Sequence, residues 1–129
     1  MTGCDVVRIA FDRLDAGDIE GTLALFHPEV VLINPPAIGL GVMLPTHMFG
    51  VDELRAGIEG VDIGKIERRI ESIEEISPGI VSSHGFITVE GTWGAAQWLA
   101  HLTGDGLVNY IEGHLYFRVR KDDPSPGGG

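Results

Sequence analysis

The segment Thr2–Pro28, TGCDVVRIAFDRLDAGDIEGTLALFHP, carries the strongest local signal in the chain. Thr2 and Asp5 stand three apart, so the threonine oxygen can accept an orphan backbone N–H while the acid complements the helix dipole. A helix therefore starts at Thr2. Val6, Val7, Ala10, Phe11 and Leu14 recur at helical spacing and place one apolar stripe against a core, and Gly17 supplies a left-handed stop. Asp18 caps a second, short helix marked by Ile19, Leu23 and Phe26. His27-Pro28 ends it, because the residue before a proline is pushed out of the α region. The two elements make a helical hairpin.

Downstream, Glu29 to Asn34 is rich in β-branched residues and stops at Pro35-Pro36, which reads as a strand. The long loop Ala37–Gly50 is unusually apolar, with Ile38, Leu40, Val42, Met43, Leu44, Met48 and Phe49 among three glycines and Pro45. Burying each such side chain is worth on the order of 1.5–3 kcal/mol, so the loop is expected to fold over something dry. Adaptable methionines and glycine hinges suit a lid over an apolar pocket; a loop packed on another chain is the alternative. Val51-Asp52 opens a third helix with Leu54 and Ile58 facing inward.

Lys65 to Ile76 is ambiguous by pattern. Ile66, Ile70, Ile73 and Ile76 have helical spacing, while isoleucine at every apolar position is also compatible with a strand. Ser77-Pro78-Gly79 is a turn in either case. Ile80 to Trp93 is expected to be one strand bent by a bulge at Gly91 and Gly94. Leu107 to Arg120 forms its hairpin partner across the Thr103–Gly106 turn. In that last strand Tyr110, Glu112, His114 and Tyr116 share a mixed aromatic and polar face, which predicts a homodimer through the outer side of the sheet. Asp122–Gly129 is Pro/Gly-rich and reads as a disordered tail, leaving residues 1–121 as one domain.

Composition narrows the function classes. The chain has 129 residues, 43% of them hydrophobic, enough for one core. A formal net charge of -10 repels phosphate backbones and anionic membranes, so nucleic acid and membrane surfaces are not expected partners. Charges at Asp5, Arg8 and Asp12 interrupt any apolar leader, and no run reaches the length of a membrane span, so the expected location is the cytoplasm. Cys4 alone makes no disulfide. Five histidines without paired spacing argue against a metal site, and no phosphate or dinucleotide loop is present, so no cofactor is expected.

Three stretches, Phe11-x-x-Leu14-Asp15-Ala16-Gly17-Asp18 with Leu25-Phe26-x-Pro28, Val30-Val31-Leu32-x-x-Pro35, and Gly50-x-Asp52-Glu53-Leu54, resemble the nuclear transport factor 2-like superfamily in its SnoaL-like and ketosteroid isomerase-like branches. With the Leu115–Arg120 strand the likeness spans Val6 to Arg120. The resemblance implies an α+β fold, a cone-shaped curved antiparallel sheet wrapped around three helices, that either lacks the family's usual last strand or carries it in another register. It also implies a pocket for an apolar oxygenated molecule. The family's catalytic groups do not carry over: the isomerase base falls at Asn34, the tyrosine at Ala10 and the second acid near Leu115. Two members of the epoxide hydrolase triad fall near His84 and Phe86. Asparagine cannot take a proton at neutral pH.

Two functions from different classes remain. In one, the domain is a cofactor-free enzyme acting by acid–base chemistry on a polyketide, terpenoid or steroid-like compound, as an isomerase, cyclase or hydrolase. His84 or His47 is then the catalytic group, and Asn34, Met43, Met48, Phe49, Phe86, Trp93 and Phe11 bind the substrate. In the other, the same fold binds a ligand or a partner subunit without chemistry. Each residue also has a plainer reading: Asn34 as a turn former before Pro35, His84 as a satisfied core or surface histidine, and Phe86, Trp93, Trp98 and Tyr110 as core or dimer packing.

Overall fold

A computed structural model of the chain describes residues 1–34, 47–60, 63–89, 91–115 and 120–121. Helix α1 spans Gly3–Asp15. Its capping box is closed in both directions: the Thr2 hydroxyl accepts from the Asp5 N–H at 3.2 Å, and the Asp5 carboxylate accepts from the Thr2 N–H at 3.0 Å. That closure holds the Asp5 carboxyl below its ordinary range. Gly17 takes φ 80°, and Asp18 caps α2 (Ile19–Leu23) by accepting from the Gly21 N–H at 2.9 Å.

Phe26 belongs not to α2 but to strand β1, Phe26–Ile33, which therefore begins before Glu29. Proline is tolerated inside it because the parallel ladder to β6 (Val108–Leu115) shifts register between Phe26 and Val31, so the N–H that Pro28 lacks is not required there. The segment read as the end of the apolar loop is a short strand, β2 (His47–Phe49), whose register sets Leu32 against Met48 and Ile33 against His47. Helix α3 follows directly as Gly50–Glu59, with Gly50 at φ 83°. The rest of the apolar loop, including Met43, falls outside the described residues, as do Tyr116 and the Asp122–Gly129 tail.

Ile66–Ser77 is strand β3, and its geometry explains the helical spacing of its isoleucines. Ile66, Arg68 and Ile70 alternate inward. The ladder to β4 (Ile80–Val89) then slips between Ile70 and Ser72, so the next inward residue is Ile73 rather than Ser72. Ile66 and Ile70 thus stand four apart by plain alternation with Arg68 between them, and the β-bulge makes the next step, to Ile73, three. Ile76 is 54% exposed and takes no part in the inner face.

The expected single strand from Ile80 to Trp93 is instead two. Val89 pairs with Thr92 across a tight turn in which Gly91 adopts φ 83°, so Gly91 reverses the chain rather than bending it. Strand β5 (Thr92–Leu102) runs back along β4 and then, through the Thr103–Gly106 turn, into β6. The strand order is β2-β1-β6-β5-β4-β3, with β7 (Arg120–Lys121) pairing Thr92 and Trp93 of β5. All pairings are antiparallel except β1 with β6, which makes the sheet mixed.

The helices cover one face of this sheet. Val6, Val7, Ala10 and Phe11 of α1 pack with Leu23, Leu54, Val30, Val81, Ala100 and Val108, of which Leu54, Val30, Val81 and Val108 are almost wholly enclosed. No described helix is long and apolar enough to cross a membrane.

Candidate active site: a cavity beside the Arg68–Asp15 pair

The core does not close completely. Between α1, α3 and the inner face of the sheet lies a cavity of about 120 Å³. Its walls are mostly aliphatic and aromatic: Phe11 and Leu14 of α1, Met48 of β2, Leu54 and Ile58 of α3, Trp98 of β5 and Ile111 of β6. Gly57 of α3 lets Met48 lie close: a Cβ there would stand 2.3 Å from the Met48 sulfur and the methionine side chain would have to move. The polar groups that reach the cavity are Asp15, Thr22, Asn34, Arg68 and Ser83. Thr22 is spent on the Asp18 carbonyl at 2.8 Å, and Ser83 donates to the Trp98 carbonyl at 3.3 Å.

Arg68 and Asp15 differ from these in kind. Strand alternation turns Arg68 inward between Ile66 and Ile70, leaving its side chain only 11% exposed. Its guanidinium carbon lies 5.1 Å from the ring centre of Phe11 and 5.5 Å from that of Trp98. Those two rings meet edge to face at 5.4 Å. Arg68 Nη1 donates to Asp15 Oδ1, while Arg68 Nε is buried with no acceptor among the described residues. Asp15 is the last residue of α1, where the outgoing carbonyls disfavour a negative charge. Burial pushes its carboxyl above the ordinary range, Arg68 opposes that shift, and Asp12 adds to it. Burial likewise pulls Arg68 down, against the attraction of Asp15.

Of the site residues expected from sequence, Phe11, Asn34 and Met48 line this cavity and Met43 is outside the described residues. The others are elsewhere. His84 follows the cavity-facing Ser83 on β4 and so points to the opposite face of the sheet, where it is paired in register with Gln97. Phe86 and Trp93 pack on each other on that same outer face, ring centres 6.0 Å apart. His47 is exposed and stacked on Phe49, which is 56% exposed, because both alternate with the inward Met48. The two histidines proposed as catalytic therefore do not border the cavity. On the outer face the Tyr110 hydroxyl donates to Glu112, which also contacts His114. These contacts hold the Glu112 carboxyl low and raise the Tyr110 hydroxyl. Among the described residues no cluster could hold a metal ion.

Ala10 and Asn34, two positions where the isomerase groups would fall, do border the cavity, but with side chains that cannot perform that chemistry. Sequence reading missed Arg68 and Asp15. Arg68 was hidden as charged filler in a run with helical spacing, and Asp15 as an ordinary helix-end acid.

No protein-family model matches the chain, and no curated protein sequence does so with significance. Solved structures match over most of its length. An NTF2-like protein of unknown function from Burkholderia pseudomallei is 21% identical, covering 89% of this chain and 92% of its own, with a TM-score of 0.71. A candidate ketosteroid isomerase from Kribbella flavida is 15% identical over 97% and 83% of the two chains, with a TM-score of 0.74. The chain has the nuclear transport factor 2-like fold. TerC, co-crystallised with polyporic acid, is a further neighbour at 20% identity, covering 88% and 90%, with a TM-score of 0.68. In this NTF2-like domain the cavity between helices and sheet is thus built around an arginine–aspartate pair, not around the isomerase residues.

Proposed function

We propose that this NTF2-like domain holds an apolar, oxygenated small molecule, of polyketide, terpenoid or steroid-like character, in the cavity around Arg68. One observation carries the reading: an aliphatic and aromatic wall lines a cavity beside a cation largely withdrawn from water. Mostly apolar walls with a few convergent polar groups are the usual make-up of a small-molecule site. The similarity to TerC and to a candidate ketosteroid isomerase supports a ligand of this class.

A second reading, catalysis, is favoured by the environment of Asp15. A carboxylate on a cavity wall whose proton affinity is raised by burial is suited to act as a general base near an apolar substrate. In that reading Asp15 takes the role expected of His84 and His47, and Asn34 positions a substrate oxygen or water. The test is a binding screen with toluene and acetophenone followed by heat stability, run on the native chain and on Ala100→Leu, which projects into the cavity. Ligand at a hundredfold over its dissociation constant should stabilise by about 2.7 kcal/mol, and the variant should show no gain. Stabilisation that survives Ala100→Leu places the ligand elsewhere. Turnover of enones, lactones or epoxides that disappears in Asp15→Asn while binding persists would establish the catalytic reading.

A further inference from the structure

We infer that the ligand of this cavity is an organic anion, an apolar body bearing one carboxylate-like oxygen pair that Arg68 receives, and that its entry brings a proton onto Asp15. The inference rests on the cavity being a ligand site, and it specifies the charge of that ligand.

A guanidinium offers five N–H groups in a planar fork and cannot shed its proton at physiological pH. Here the described residues supply one carboxylate acceptor, Asp15, on Nη1, and Nε is sealed without any. The rings of Phe11 and Trp98, whose centres lie as close to each other as to the guanidinium carbon, stand together on one side of it; they attract the charge but accept no in-plane hydrogen bond. The cavity that Arg68 lines is where a further acceptor can reach the group. A carboxylate matches the spacing of the fork, whereas a single carbonyl oxygen satisfies only part of it.

Charge follows. Asp15 and Arg68 together are neutral, so an entering anion leaves the site with one uncompensated negative charge against a mostly apolar wall. Among the described residues lining the cavity, from all the helices and from β1, β2, β3, β4, β5 and β6, no ionisable side chain besides these two is present. Asp12, on the same helix, adds a further negative field at Asp15. The group that can relieve the excess is Asp15, which burial has already moved toward the protonated form. Once protonated it can donate to the ligand oxygen, so two carboxyl groups share one proton beside Arg68. Binding then strengthens as pH falls from 8 to 6, a range in which a simple carboxylic acid ligand stays ionised.

Phenylacetate and phenylacetamide, near-identical in shape and different in charge, test this by calorimetry on the intact chain, with toluene as the neutral reference for the cavity itself. Phenylacetate should bind about ten- to a hundredfold more tightly than the amide, the usual range for a hydrogen bond to a charged group. The preference should vanish in Arg68→Gln. Measured in two buffers of different ionisation heat, phenylacetate binding should take up protons, and Asp15→Asn should bind without uptake. Both comparisons on the native chain stand even where a variant fails to fold. Toluene binding with equal affinity for acid and amide, or with neither bound, overturns the anion inference and leaves the cavity reading intact. Preference without proton uptake overturns the role given to Asp15. Failure of all three compounds to bind overturns both readings.

Discussion

Removing either member of the Arg68–Asp15 pair should cost stability, but unequally. Arg68 is 11% exposed and Asp15 34% exposed at the side chain. In Asp15→Leu the guanidinium stays buried without its counter-ion and cannot neutralise itself, a situation that costs about 3–5 kcal/mol. In Arg68→Met the straight chain still packs against Phe11 and Trp98. The orphaned carboxylate has water at one side and can take a proton, so the expected loss is about 1–2 kcal/mol. The double variant leaves no charge to bury and should lie within about 1 kcal/mol of the native chain. Urea unfolding at pH 7 measures all three. A pH series adds a sign. The native Asp15 carboxyl is raised above its ordinary 3.8, so its contribution favours folding below that value and is lost as pH rises through the folded value. Without Arg68 the shift grows, and the Arg68→Met deficit should shrink on acidification toward pH 5. Equal losses in the two single variants, or a double variant as unstable as their sum, would refute the account of this pair.

Gly85→Ala should lose about 3 kcal/mol or more by the same assay, because the added Cβ would stand 1.8 Å from the Arg69 carbonyl beside the β3 bulge; a loss below 1 kcal/mol means the strands separate there at little cost. Ala100→Leu should raise stability by about 1–2 kcal/mol by filling the cavity with methylenes, and a destabilised variant would show that the space is already occupied by packing. The outer face, with Phe86, Trp93 and Tyr110 beyond the reach of the helices, should pair two copies of the chain; sedimentation at micromolar concentration should give a dimer, and a monomer would oppose it.

Local chemistry made the helical hairpin readable before any coordinates. Thr2, Asp5, Gly17 and Asp18 act through contacts within four residues, and each does so as its spacing implies. The β-rich second half was legible as strands but not as faces. A side chain's direction in a strand has a period of two, so a reading that cannot fix register by better than one residue assigns His84 to the cavity when the neighbour Ser83 holds that place. The bulge after Ile70 had a similar effect, giving isoleucines a helical spacing and disguising Arg68 as solvated filler. The pairing of Arg68 with Asp15 spans 53 positions in sequence and depends on how α1 crosses the sheet, which no local pattern encodes. Strand β2 was missed for the same reason, since three residues acquire their order only from β1.

The two tryptophans offer a direct test of the central claim that the inner cavity, not the outer face, receives the ligand. Trp98 lines the cavity and Trp93 lies on the opposite side of the same strand, so their indole N–H resonances report the two faces separately. In a proton–nitrogen spectrum recorded during titration with phenylacetate, the indole signal of Trp98 and the Nε–H signal of Arg68 should shift together and saturate, while Trp93 stays in place. A shift of Trp93 with Trp98 and Arg68 unmoved would contradict the account.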